Sequence, residues 1–343
     1  MDKSTLEMML AKANNSIADP SRLTERNTNG YEQGRFTLFH SAMSFCSQKV
    51  RATLVQKGAA FKSCDMVIIG NRMASSGKLI PAENYHPDYV RLRLIGGKLL
   101  STDLAANYTG VSSVSTQGFD ACAVPTLVDL FTGEVIVDSL RICLHVNGTV
   151  SNSPSLVPND PLLLAQMKAQ LDAVDNTPHP ALLYGFHPED DRRPQILQEL
   201  MLSVYDDKVE ALQELAADNS ADHELVAAYH AKIKKEKGGK NVSRDPSFQH
   251  AARSRAREII VQLDRDLQAN GAEWLCGTTV TLADLFWGVS LVRLEYLGLG
   301  SLWGDLPRVR TYFSNVAELP SIQQEAIEST LMSMPPSKHL RSA

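Results

Sequence analysis

The chain of 343 residues is long enough for two domains with sizeable cores. With 43% hydrophobic and 21% charged residues it reads as a soluble globular protein, not a disordered one. A net charge of −5 argues against bulk attraction to nucleic acid or an anionic membrane. No stretch approaches the ~20 apolar residues of a membrane span.

Residues 1–34 are polar, rich in Asn, Ser and Arg, and are expected to form a mobile extension with one helical turn around Leu6–Ala11. This N-terminus lacks the apolar core of a signal peptide. Five cysteines, Cys46, Cys64, Cys122, Cys143 and Cys276, show no CxxC or Cys/His metal spacing. They suggest free thiols in a reducing cytoplasm rather than a disulfide framework.

An apolar run, Phe36–Phe39, passes through a small-residue turn into a helix over Ser44–Lys57, with a second strand expected at Met66–Ile69. This β-α-β order implies parallel pairing. The turn delivers Ser44-Phe45-Cys46-Ser47 to the start of the helix. Unpaired N–H groups and the positive end of the helix dipole favour thiolate over thiol there. Cys46 is therefore a candidate nucleophile or redox centre, with Ser44 and Ser47 as neutral hydrogen-bond donors beside it. The competing reading is a small buried hydrophobe, the usual fate of cysteine.

Gly70–Asp120 is weakly patterned, and Ser101–Gly118 has the composition of a long loop, a feature that is often functional. Val124–Asp129 and Glu134–Val137 form a hairpin pattern around Phe131-Thr132-Gly133, and Asp138-Ser139 opens a helix running to about His145. The first domain thus spans 35–147. Residues 148–160, rich in Ser, Pro and Asn, read as a linker. Helical patterns follow at Pro161–Val174, Pro194–Ala217, Ala221–Lys235, Pro246–Ala269, Val280–Leu297 and Pro307–Val316. They make 161–330 an all-α bundle, followed by a tail at 331–343. The basic run Lys232–Lys240 reads as a solvated helix end and loop. Thr281 and Asp284 stand in capping-box spacing before an apolar helix, a structural role.

Taken in order, these features resemble the glutathione transferase superfamily. The resemblance implies an α/β plus all-α fold: an N-terminal thioredoxin-like glutathione-binding domain and a C-terminal helical bundle. It covers roughly residues 35–147 and 160–330. Val124-Pro125 resembles the superfamily's cis-proline step, Asp138-Ser139 the pair that holds a γ-glutamyl group, and Thr281–Asp284 the buried capping box. A cis X-Pro bond is cheap. It would turn the Val124 N–H and C=O toward the cysteinyl backbone of a peptide. The Ser139 helix start suits a carboxylate, and Asp138 an α-ammonium.

Ser44-x-Cys46-Ser47 is similar to the S-x-C-S signature of zeta-like transferases. The wider MSFCSQKVR context and Tyr85–Leu92 look most like the glutathione-dependent reductive dehalogenases of chlorinated hydroquinones. An insertion around Ile95–Phe119 departs from shorter relatives, and Lys98 is the candidate for the glycine carboxylate.

The resemblance implies that Ser44 donates to a glutathione thiolate, which displaces halide from a halogenated hydroquinone-type aromatic. Cys46 then attacks the sulfur of the conjugate, and a second glutathione clears the Cys46–glutathione mixed disulfide. Tyr184, His187 and Arg192 are candidates for substrate contact; a polar interhelix turn is the competing reading for all three, and the stronger one for His187 and Arg192. The same resemblance implies a cytoplasmic homodimer acting on a small aromatic, with no metal, flavin, nicotinamide, nucleic acid or membrane partner. Glutathione-dependent aryl ether or thioether cleavage, cis-trans isomerisation, and a non-catalytic binding protein of the same fold remain alternatives.

Overall fold

The structure, a computed structural model, describes residues 3–185 and 189–341. The expected mobile extension is instead built into the first domain. Helix α1, Lys3–Asn14, buries Leu6, Leu10 and Ala13, with Ile17 just beyond it. Strand β1, Leu23–Arg26, adds an antiparallel edge to the sheet, and Arg22 is anchored to Glu83 at 2.7 Å. Spaced apolar residues within a polar stretch are enough, because they pack on a surface already present.

Strand β2, Tyr31–His40, is buried from Phe36 to His40. It is followed by helix α2, Phe45–Gln56, and strand β3, Ala59–Asp65. The second strand therefore ends where Met66–Ile69 was expected to begin. The reason is local: the Glu83 carboxylate takes the Val67 N–H at 2.7 Å and draws the chain off the sheet. A two-stranded ribbon, β4 Asn71–Arg72 and β5 Leu79–Ile80, precedes helix α3, Pro87–Gly97. The segment expected to be loop holds the short helix α4, Val114–Gln117.

Strands β6, Thr126–Asp129, and β7, Glu134–Val137, form the expected antiparallel hairpin, and helix α5 runs over Ser139–Thr149. The sheet order is β1-β3-β2-β6-β7, with β2 and β3 parallel and the other pairs antiparallel. The Val124-Pro125 peptide is cis.

Next come α6 Pro161–Asp175, α7 His179–Tyr184, α8 Gln195–Asp218, α9 His223–Val242, α10 Pro246–Asn270, α11 Leu282–Tyr296 and α12 Pro307–Ala317. The chain ends in α13 Pro320–Ile322, a turn of π-helix at Gln323–Glu328, and α14 Ser329–Ser333. Residues 331–341 are not a free tail. Met334 and Leu340 are buried, and the Pro335 carbonyl accepts from the Tyr296 hydroxyl at 2.8 Å. The proposed capping box forms, and its carboxylate does more than cap. Asp284 also accepts from Leu275 N–H at 3.0 Å and Tyr312 O–H at 2.9 Å, tying three segments together.

Helix α2 is buried on nearly every side, because the helical domain covers the face that the sheet does not. Its polar residues are satisfied across that junction. Lys49 pairs with Asp175, Arg51 with Glu325 at 2.6 Å, and Gln48 donates to Thr330 at 2.9 Å. A buried charge stripped of its partner is costly, so these pairs hold the domains in one relative position.

Candidate active site

A cavity opens between the two domains, walled at one end by the start of α2 and at the other by the α8–α9 hairpin. At the first end Ser44 is the N-cap of α2, its side chain accepting from Ser47 N–H. Cys46 follows two positions later, half-buried on the cavity wall. The other four cysteines are buried. Burial pushes the thiols of Cys64, Cys143 and Cys276 up to about 12.

Val124, Pro125, Asp138 and Ser139 line the same wall. Among the described residues no hydrogen bond engages the Val124 N–H or C=O. Asp138 adopts φ 75°, unusual for a residue with a side chain, and caps α5 through Arg141 N–H at 3.0 Å. Burial raises its carboxyl above the ordinary carboxylate range.

Two buried cations, neither singled out from the sequence, stand near Cys46. Burial opposes the Lys49 ammonium, but Asp175 and the Cys46 sulfur outweigh it and hold the ammonium charged. Arg293 lines the cavity, donates to the Met43 carbonyl at 2.7 Å, and is pushed down to about 10, chiefly by burial. Its Nε has no partner among the described residues, and neither does Nδ1 of the cavity residue His179. His179 stacks on Phe45 with ring centroids 4.1 Å apart, and burial keeps it neutral. No local motif marks these residues, because they converge from separate helices.

The second end is the larger surprise. Lys208 from α8, Lys232, Lys235 and Glu236 from α9, and Asp120 from the loop before the proline all line the cavity. Lys232 reaches Asp120 at 2.6 Å and Glu236 at 2.9 Å, Lys235 reaches Asp120 at 3.0 Å, and Lys208 reaches Glu236 at 3.2 Å. Lys208 also stands 4.1 Å over the Tyr184 ring. Burial works against the charges of Lys208, Lys232, Asp120 and Glu236, yet the pairing prevails. Lys208 and Lys232 are held above the usual lysine range, Asp120 falls well below its own, and Glu236 is lowered to about 2. The start of the basic run is therefore buried structure, not a solvated helix end.

The sequence candidates divide accordingly. Ser44, Cys46, Val124, Pro125, Asp138, Ser139 and Tyr184 share the cavity. Ser47 does not. It is fully buried behind the turn, its hydroxyl accepting from Ser41 N–H at 3.2 Å, because position N3 of the helix faces the core. Lys98 is 64% exposed on the outer surface and pairs with Glu224 at 2.9 Å. Arg192 is exposed and pairs with Asp190 at 2.7 Å. His187 lies outside the described residues. The 95–119 insertion contributes Tyr108, Val111, Ser112, Val114, Gln117 and Gly118 to the cavity lining.

A thioredoxin-like domain joined across a cleft to an all-helical domain is the glutathione transferase fold. A family model described as the glutathione S-transferase C-terminal domain matches residues 209–314. The chain is 39% identical over 297 residues to a 2,5-dichlorohydroquinone reductive dechlorinase of Sphingobium indicum, covering 86% of this chain and 83% of that one. It is 25% identical over 293 residues to the human ganglioside-induced differentiation-associated protein 1-like 1, covering 81% and 70% of the two chains. Among solved structures the beta-etherase LigF from Sphingobium sp. strain SYK-6 matches with TM-score 0.51 at 16% identity, over 85% of this chain and 98% of that one. The chain belongs to the glutathione transferase superfamily, in its reductive-dehalogenase-like branch.

Proposed function

We propose that the protein is a glutathione-consuming reductive dehalogenase of halogenated hydroquinone-type aromatics. The observation that carries this reading is one wall of one cavity. There Cys46 at a helix start stands with a free Val124 backbone edge and the Ser139 helix start. Similarity to relatives named as 2,5-dichlorohydroquinone reductive dechlorinases supports it.

Glutathione is a substrate here, used up in each turnover. The wall fits such a peptide: Val124 supplies an unpaired donor and acceptor for its backbone. Ser139 N–H and hydroxyl groups suit its α-carboxylate. Asp138, already bound to its own helix through one oxygen, keeps the other for an ammonium. The Ser44 hydroxyl donates to the incoming sulfur. Displacement at a keto tautomer of the ring forms a carbon–sulfur bond and releases halide. Cys46 thiolate then attacks that sulfur. A sulfur–sulfur bond forms, the carbon–sulfur bond breaks, and the ring carbon keeps the electron pair and takes a proton. A second glutathione thiolate displaces Cys46 and leaves as the disulfide, restoring the enzyme. The balance is two glutathiones oxidised for one halide replaced by hydrogen. Tyr184 and the insertion residues face the aromatic ring in this reading. The reading also includes the homodimer and cytoplasmic setting usual for the superfamily.

Incubation of Cys46→Ser with glutathione and a chlorinated hydroquinone, followed by mass spectrometry, tests the scheme. Halide release should continue for one conjugation, with the glutathionyl-hydroquinone accumulating in place of dehalogenated product. Unchanged yield of dehalogenated product would remove Cys46 from the chemistry and leave ether cleavage or isomerisation as the better account. Failure of the wild-type chain to bind glutathione would favour a non-catalytic protein.

A further inference from the structure

The hairpin end of the cavity carries more positive charge than its own carboxylates neutralise. Lys208, Lys232, Lys235 and Arg93 line it, against Asp120 and Glu236. Lys208 is 7% exposed, Lys232 9%, Arg93 4%, Asp120 8% and Glu236 4%. Arg93 has no carboxylate partner among the described residues. It donates to the Asp120 carbonyl at 2.9 Å, to the Pro125 carbonyl, and to the Thr126 hydroxyl at 3.0 Å. Buried cations in excess of anions are costly unless a further anion completes the set.

Four of these groups belong to the hairpin. Lys232, Lys235 and Glu236 stand at i, i+3 and i+4 on α9, on one face, and Lys208 meets them from α8. The hairpin is pinned to the first domain close by, where Tyr229 donates to the Tyr85 carbonyl at 2.6 Å and Arg91 binds Asp222 at 2.9 Å. The ammonium groups are thus fixed in place, not swinging on a loose loop.

Position along the chain supplies the second argument. Asp120, which lines the cavity with Val124, stands just before it in sequence, so a peptide seated on the Val124 edge shares its cleft with the hairpin cations. Asp120 is the residue that Lys232 and Lys235 hold.

We propose that Lys208, Lys232, Lys235 and Arg93 form a carboxylate subsite, and that its occupant is the C-terminal carboxylate of glutathione. The identity of the occupant rests on the proposed use of glutathione; the surplus of buried cations does not. This subsite takes the role expected of Lys98, which lies on the outer surface. A ring-borne carboxylate on the aromatic substrate is the other source of the same chemistry.

The test is binding without turnover, by calorimetry, on the wild-type chain, Lys232→Met and Lys235→Ala. Lys235→Ala leaves Asp120 its Lys232 partner and so guards against loss of the fold, which circular dichroism checks. One ligand pair is glutathione and its glycyl monoethyl ester; the other is a chlorohydroquinone and its ring-carboxylated analogue. Esterification of glutathione should weaken wild-type binding about 10- to 100-fold. That discrimination should shrink to within about threefold in the lysine variants. Lysine-dependent discrimination in the ring pair alone would keep the subsite and overturn the glycine assignment. No discrimination in either pair overturns the subsite. A chain that shows the effect yet releases no halide would sink the dehalogenase reading and leave this one standing.

Discussion

The two ends of the cavity are built by opposite means. At the cysteine end each element is a short contiguous segment: Ser44 to Cys46, Val124-Pro125, Asp138-Ser139. Backbone groups and helix starts line the wall there, and the Asp138 carboxyl is raised by burial. At the hairpin end the working groups are long charged side chains from three distant segments, and the carboxylates are lowered by their lysine neighbours. In the proposed reading one end handles sulfur and the other holds charge. The contrast teaches that a candidate reactive group can be set out by a local motif, whereas a buried charge network needs the assembled fold.

Kinetics offer the largest contrast. Ser44→Ala should slow halide release about 100-fold by removing a donor to the reacting sulfur, with helix-cap loss costing a further ~1 kcal/mol in stability. The lysine variants should instead raise the glutathione KM and spare kcat. Equal effects on kcat from both ends, in stopped-flow halide release, would erase the distinction.

Acid stability separates the ends by sign. Glu236 is lowered to about 2 from an ordinary 4.5, so its contribution is whole above about 4.5 and is lost as pH falls toward 2. Asp138 is raised above its ordinary 3.8, so its ionised form is a penalty at neutral pH that disappears as pH falls through its folded value. Thermal melts across pH should show Glu236→Gln flattening the acid limb. Asp138→Asn should gain relative stability at neutral pH and converge with wild type in acid. The same slope for both variants would contradict the electrostatic contrast.

The smallest effect belongs to the surface. Lys98→Ala breaks an exposed pair and should change stability by less than about 1 kcal/mol, with the glutathione KM unchanged. A clear rise in that KM would return the glycine carboxylate to Lys98.

Legibility follows the same division. The placing of Ser44, Cys46, Val124, Pro125, Asp138 and Ser139 on one wall was readable because it depends on neighbours within a few residues. Tyr184 was readable as a pocket candidate for the same reason. Ser47 was misplaced because one helical step, about 100° of rotation, turns a side chain from the cleft into the core. The N-terminal 34 residues were read as mobile because Leu6, Leu10, Ala13 and Ile17 are too sparse to promise a core of their own. They need only the flank of α3 to bury them. Lys49, Arg93, His179 and Arg293 gave no signal, since each is an ordinary helical residue until its partners arrive from elsewhere.

By itself the sequence determined the two-domain order, the strand-to-helix turn that lifts Cys46 to a helix start, the proline step and the helix-capping pairs. All are set by backbone propensity and hydrogen bonds within a few residues. Only the tertiary structure decided that Lys208, Lys232 and Lys235 face inward, that Arg293 stands near Cys46, and that Leu6, Leu10, Met334 and Leu340 are packed. Burial and charge pairing depend on which distant segments meet, and that information belongs to no single stretch of the chain.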